Sequence, residues 1–358
     1  MRVRGPTLRL AIVAIAVVGA LLWQPVLRPA SKAGVILLDV YSTSLWGTDL
    51  AAFVTPPPRV TDTRETLAGV EMRVTWWRPA WGDRHPGMLL INGATPAGND
   101  LKETRLISEA IARAGFLVML PEFPWVTEER FYPEIVEQTD AAFARLRADP
   151  ATQGRPTGAF GFSVGGGLLL AASAQGEALA EARYLGVLGA YHDIDTWLAS
   201  IVSRTQVREG AVVPWEPSED LPPRASKAVA PLATDGTERR ALDAVLAAGG
   251  RDEALRGLAA LPAEMRERLD RLSAKPGWSR IGPPVFWVHD PQDHYVPVGE
   301  SEAAAAAPRD GRLVMAVPKL LAHGEPVREE TRSMGILFWA GELWGLLSFA
   351  MGLLRVAS

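Results

Sequence analysis

The sequence predicts an α/β domain built on a mostly parallel sheet. Three observations carry the prediction. Short apolar runs bounded by turn residues recur along the chain, amphipathic segments with helical spacing separate them, and a glycine-rich turn joins one run to the next helical segment. The 358 residues allow one large domain or two ordinary ones, and 48% hydrophobic with 22% charged residues is the composition of a folded globular chain. A net charge of −4 argues against a nucleic-acid partner held by overall basicity. There is no cysteine, which excludes disulfide scaffolds, thiolate metal sites, iron–sulfur clusters and cysteine nucleophiles. Five histidines leave little material for a histidine-rich metal site.

The chain opens with Arg2, Arg4 and Arg9, then runs from Leu10 to Trp23 without a polar residue. Gln24-Pro25 interrupts the run and Val26-Leu27 resumes it. A basic stretch ahead of an apolar core marks residues 1–33 as a membrane anchor or a signal peptide. The strictly apolar part is short of the roughly 20 residues that a span needs, but Thr7-Leu8 and Val26-Leu27 extend it. The anchor is the preferred reading. Ser31-Lys32-Ala33 offers a weak cleavage site for the other. An anchor would place residue 34 onward outside the cytoplasm, and cleavage would release the domain as a secreted protein.

From Val60 the pattern is strand, then strand alternating with helix. Val70 to Arg78 alternates and is rich in β-formers, and Met88 to Ile91 is an apolar run ending in Asn92-Gly93. Glu103 to Ala114 has helical spacing and Gly115 closes it. Phe116 to Leu120 reads as a buried strand stopped by Pro121, and Tyr132 to Arg147 as a helix. Gly158 to Phe162 is a strand that enters glycines, and Leu168 to Ala174 is helical. Tyr184 to Leu188, Val285 to Val288 and Leu313 to Val317 complete the strands.

The alternation breaks once. Residues 191–283 are too many for one crossover and read as a helical cap inserted into a core of 34–190 and 284–334. Within the insertion Val212 to Pro223 is proline-rich and loop-like, followed by three helices, Arg239 to Ala248, Asp252 to Ala260 and Pro262 to Leu272. The last segment, 335–358, is a helix apolar nearly all round. Its small or polar stripe is Gly341, Glu342, Gly345, Ser348, Gly352 and Arg355. Such a helix belongs to a core or to a membrane, and Trp339 and Trp344 suit an interface.

The sharpest local signal is Gly161-Phe162-Ser163-Val164-Gly165, a G-x-S-x-G motif between a strand and a helix. A turn that tight needs small neighbours two residues either side of the serine, and Gly161 and Gly165 meet the demand. Ser163 is therefore the candidate nucleophile. A serine hydroxyl is inert without a base, and His323, just beyond the last strand, is the candidate. His192 is the rival, while His85, His289 and His294 sit in less suitable places. A carboxylate must orient the imidazole, and the segment after Val285–Val288 supplies Asp293, which is favoured, and Asp290. The oxyanion needs backbone N–H groups. Val164 supplies one, and Ala94, with Gly93 second, supplies the other from the loop after Ile91.

The run from Met88 to Ala174, with Asp293 and His323, resembles the α/β-hydrolase superfamily, and within it the dienelactone-hydrolase-like and esterase or prolyl-peptidase-like branch. The resemblance covers roughly residues 65–190 and 280–330. It implies an eight-stranded, mostly parallel sheet, a triad of Ser163, Asp293 and His323, and cap insertions after the sixth strand. Two departures are visible. Many members carry His-Gly at the oxyanion loop where this chain has Asn92-Gly93, and dienelactone hydrolases proper use a cysteine that this chain lacks. The expected activity is cleavage of a carboxylic ester, small or lipid-like, through an acyl-enzyme. No metal or cofactor is expected. The membrane is reached through the N-terminal segment and, in one reading, the C-terminal helix as well. Acyl transfer or peptide cleavage with the same triad, and a non-catalytic binding module, are the alternatives.

Overall fold

The computed structural model describes residues 26–321, 323 and 334–357. The apolar run from Leu10 to Trp23 lies outside them. The chain enters through α1 (Arg28–Trp46), which passes without a break across residue 33. Ala33 is fully buried there, so residues 31–33 are part of a packed helix. β1 (Arg59–Leu67) and β2 (Val70–Arg78) form a hairpin closed by Ala68 and Gly69, both at positive φ, as the tightest two-residue turn requires.

Alternation follows: β3 (Gly87–Ile91), α2 (Lys102–Arg113), β4 (Leu117–Pro121), the short α3 (Pro124–Glu128), α4 (Ile135–Arg147), β5 (Thr157–Phe162), α5 (Ser163–Ser173), α6 (Glu177–Ala180) and β6 (Leu185–Leu188). After the insertion come β9 (Val285–Val288), α12 (Gly299–Ala306), β10 (Leu313–Ala316) and α13 (Ile336–Ala357). The eight strands lie in the order β1-β2-β4-β3-β5-β6-β9-β10. β1 and β2 are antiparallel and all pairs from β4 to β10 are parallel. Every residue of β3, β4 and β9 is buried, which is why these strands are unbroken apolar runs.

Side-chain alternation along each strand feeds two cores. Leu89, Ile91, Leu117, Met119, Val285 and Trp287 join the core beneath α4 and α5. Met88, Leu90, Val118, Leu120 and Phe286 join the one beneath α1, α2 and α13. On that second face Arg113, its side chain 3% exposed, ties α1 to α2. It reaches Asp49 at 2.7 Å and Glu109 at 2.8 Å, and its Nε lies 3.3 Å from Asp39. Burial, then the charge of Asp49, pushes the Asp39 carboxyl up to about 7.

The segment between β6 and β9 holds more than three helices. It contains α7 (Ile194–Ser203), a hairpin of β7 (Thr205–Arg208) and β8 (Ala211–Pro214), α8 (Leu221–Val229), α9 (Gly236–Leu246), α10 (Arg251–Ala259) and α11 (Ala263–Asp270). The stretch read as a loop, Val212 to Pro223, thus carries the end of the hairpin and the first turn of α8. Pro222 and Pro223 sit in that first turn, where a missing N–H costs nothing. Trp197, Leu221, Ala228, Leu242, Leu258 and Met265 belong to the same core as β3 and β5, so the insertion shares the sheet's hydrophobic interior. α13 is long and apolar enough to cross a membrane. It presses Leu346, Leu353, Leu354 and Ala357 inward and leaves Ile336, Leu337 and Trp344 exposed.

Candidate active site

Ser163 stands at the junction of β5 and α5 with φ +53, a left-handed conformation that a non-glycine residue adopts only when its surroundings hold it there. The helix begins at the serine itself, five residues ahead of the expected Leu168, because Gly165, Gly166 and Gly167 form its first turns. A Cβ on Gly165 would stand 2.2 Å from the Asn92 carbonyl oxygen, and one on Gly161 would stand 2.6 Å from the Gly166 Cα. The two motif glycines are thus demanded by backbone contact on both sides of the turn.

Ser163 Oγ lies 2.6 Å from His323 Nε2, and His323 Nδ1 lies 2.7 Å from Asp293 Oδ2. An ionised carboxylate can only accept, so Nδ1 carries the proton and Nε2 is left to accept from the serine hydroxyl. The other carboxylate oxygen, Asp293 Oδ1, accepts from the backbone N–H groups of Tyr295 at 2.8 Å and Val296 at 2.9 Å. The Tyr295 ring lies against the imidazole, 4.7 Å between centroids. The Asp293 side chain is fully buried, and that of His323 is 18% exposed on the pocket side.

Asp290 does a different job. Its Oδ1 accepts from Gln292 N at 2.9 Å and its Oδ2 from Leu321 N at 3.1 Å, two residues before His323. Leu320 is fully buried among Val40, Tyr41, Ala110 and Leu346, so the histidine loop is held by an apolar plug and an acidic clasp. The rival base His192 sits edge-on to Trp278 at 5.0 Å, and burial lowers its pKa to about 4. His289 is fully buried with Nε2 donating to the Val296 carbonyl at 2.9 Å. His85 and His294 donate to the carbonyls of Gly82 and Glu216.

The loop after β3 comes close to the nucleophile. A Cβ on Gly93 would stand 3.0 Å from Ser163 Cβ, and Gly93, Ala94, Ser163 and Val164 line one pocket. Val164 is in the first turn of α5, where backbone N–H groups have no intrahelical acceptor. The Ala94–Thr95 peptide is pinned from both sides, since Arg224 donates to the Ala94 carbonyl at 2.9 Å and Thr95 N donates to Val126 at 2.9 Å. Asn92 fixes the base of the loop by donating to Gly98 O at 2.8 Å and accepting from Thr104 at 2.6 Å. An amide that donates and accepts at once explains the asparagine at this position.

The pocket has a volume of about 360 Å³. Its walls are mainly apolar: Leu101 and Ile107 from the α2 region, Phe131, Phe162, and Trp197, Leu221, Ala225 and Ala228 from the insertion. Among the nearby tryptophans, Trp197 lines the pocket, Trp125 is buried in the core, and Trp215 donates to the Asp293 carbonyl at 2.8 Å. Besides Glu103 and Glu129, the charged lining includes Arg224. Arg224 pairs with Glu129 at 2.8 Å and Asp220 at 3.1 Å, so its charge is balanced.

Sequence reasoning missed Gly189. It has φ +58, and a Cβ there would stand 2.8 Å from Asp293 Oδ2 and 3.2 Å from His323 Nδ1. Its only sequence signal was a glycine at a strand end. Gly189→Ala is expected to wedge the acid and the histidine apart, lowering kcat about 100-fold. The left-handed backbone adds a stability loss of about 1–2 kcal/mol. Steady-state kinetics beside a thermal melt check both. A kcat within twofold of wild type would show that Gly189 has no hold on the pair.

No protein-family model and no curated protein matches the chain. Solved structures do. The Pyrococcus horikoshii acylaminoacyl peptidase is 14% identical with a TM-score of 0.52, covering 86% of this chain and 43% of its own. An acylaminoacyl peptidase in complex with Z-Gly-Gly-Phe-chloromethyl ketone is 15% identical with a TM-score of 0.51, covering 76% of this chain and 39% of its own. The Pyrobaculum calidifontis esterase is 15% identical with a TM-score of 0.50, covering 97% of this chain and 99% of its own. The chain therefore spans about two fifths of the peptidases and nearly all of the esterase.

Proposed function

We propose that this chain, which has the α/β-hydrolase fold, is a serine hydrolase that cleaves carboxylic esters through an acyl-enzyme. The observation that carries the proposal is the continuous hydrogen-bonded line Asp293–His323–Ser163 ending at the floor of an apolar pocket. In this reading His323 Nε2 takes the hydroxyl proton as Ser163 Oγ bonds to the ester carbonyl carbon. The Asp293 carboxylate holds the ring and balances the imidazolium. The carbonyl oxygen becomes an oxyanion facing the N–H groups of Val164 and Ala94, with Gly93 giving it room. His323 then passes the proton to the leaving alkoxide oxygen as the C–O bond breaks. Water, deprotonated by the same nitrogen, attacks the acyl-enzyme and releases the acid. No step calls on a metal or an organic cofactor.

The mainly apolar walls favour an apolar acyl or alcohol portion, and the Arg224 cation in the pocket is already paired twice. The insertion, residues 191–283, serves as a cap that supplies Trp197, Leu221, Ala225 and Ala228 to the substrate. The proposal includes tethering: residues 10–27 hold the enzyme in a membrane with the catalytic domain outside the cytoplasm, and the exposed apolar face of α13 is a second contact.

The test is labelling of the full chain in detergent with a fluorophosphonate, followed by peptide mass spectrometry. One adduct per chain on Ser163 is the expected result. A folded sample that stays unlabelled, or is labelled elsewhere, overturns the proposal.

A further inference from the structure

At the end of the sheet opposite Ser163, beneath the residues that lead into β3, β4 and β5, lies a second cavity of about 240 Å³. Its charged lining is of one sign: Arg28 and Lys32 from α1, Arg84 and Arg155 from the loops, with His85 and Trp81 beside them. Arg28 and Lys32 are one helical turn apart and share a face. No carboxylate lines the cavity, and among the described residues Lys32, Arg84 and Arg155 form no salt bridge. Residues 1–27, which precede Arg28 in the sequence, contain no Asp or Glu.

Gathering like charges in one cavity costs free energy, and the cost is legible at the half-buried Lys32. Lys32, whose Nζ stands 4.2 Å above the Phe116 ring, is lowered to about 8 by burial and by the charges of Arg28 and Arg155. His85 is lowered by burial, with Lys32 and Arg155 adding to the effect. An anion in the cavity would offset the repulsion felt at Lys32. The chain's path says where the anion comes from. Arg28 follows directly on Val26-Leu27, the end of the apolar segment, so the cavity opens where a bilayer's headgroups would lie. Trp81, 49% exposed at the rim, is the residue type enriched at that depth.

We propose that this cavity is a binding site for the phosphate of an anionic phospholipid headgroup, with Lys32 and Arg155 as its central cations. The inference rests on the tethering half of the function proposed above and is independent of the chemistry at Ser163.

The full chain in dodecylmaltoside micelles is titrated by calorimetry with short-chain phosphatidylglycerol, phosphatidylcholine and inorganic phosphate. Wild type is expected to bind phosphatidylglycerol at least tenfold more tightly than either of the others. Lys32→Gln with Arg155→Gln is expected to weaken that binding about 25-fold, each lost cation near a lipid surface costing about fivefold. Ester turnover should stay unchanged in the variant, which certifies its fold. Equal affinity for the two lipids, or an unchanged double variant, overturns the site. Phosphate binding as tight as the lipid overturns the lipid source. Flotation with purely zwitterionic vesicles reads the tether separately. A chain that floats but shows no headgroup preference keeps the tether and loses the site.

Discussion

Ser163→Ala is expected to lower kcat for ester cleavage by about 10⁶, leaving a residue of about 10³ over the uncatalysed rate from the oxyanion donors and substrate binding. The substitution removes one oxygen and leaves the Cβ where it is, so the elbow keeps its shape. Alanine at φ +53 pays the strain that serine already pays, and stability should hold. What disappears is the bond that would form to the carbonyl carbon, together with the acceptor role of His323 Nε2 toward Oγ at 2.6 Å. KM should move little, because the pocket walls do not change. His323→Ala should cost about as much, and the double variant no more than either, since the pair acts as a unit. Activity of Ser163→Ala within tenfold of wild type would move the nucleophile elsewhere.

Much of this architecture is written locally in the sequence. β3, β4 and β9 are buried on both faces and therefore read as bare apolar runs. The G-x-S-x-G segment is legible because a turn that brings Gly165 against the Asn92 carbonyl has no room for a side chain. The hairpin β7–β8 escaped notice because its faces are not divided: Val207 and Val212 are exposed, and no alternation marks the strands. α8 escaped because its prolines, a loop signal in isolation, are its first turn.

The site was legible in its residue types but not in its assembly. Spacing singled out Ser163, Asp293 and His323, yet 30 residues separate the last two, and only the sheet order brings β5, β9 and the loop after β10 to one edge. Asp290 and Asp293 could not be told apart from sequence with certainty, because both are acceptors in the same turn. The difference is which oxygen remains for the ring after the backbone N–H groups are served. Arg224 carried no signal, and Gly189 only that of a glycine at a strand end. Their relevance comes from contacts 130 residues away to Ala94 for one, and from the space beside Asp293 for the other.

Asp293→Asn should lower kcat by about 10⁴ with the fold intact. The reasoning runs through hydrogen-bond bookkeeping. Oδ1 accepts from Tyr295 N and Val296 N, and an NH₂ group cannot replace it there without facing two donors. The asparagine will therefore keep its carbonyl oxygen toward the turn and direct its NH₂ at His323 Nδ1. That nitrogen must then accept, the ring proton moves to Nε2, and the atom 2.6 Å from Ser163 Oγ becomes a donor that cannot take the hydroxyl proton. KM should hold, fluorophosphonate labelling should slow in proportion to kcat, and the melting temperature should stay close to wild type because both backbone bonds survive. If Asp293 did no more than cap the turn, the asparagine would serve as well and kcat would be that of wild type. Asp290→Asn is the control with a different signature. Its two oxygens both accept from backbone, so the amide must lose either Gln292 N or Leu321 N. That loosens the histidine loop without altering the tautomer, and the cost should be a smaller fall in kcat accompanied by a lower melting temperature. The two asparagine variants thus separate holding the ring's proton from holding the ring's loop.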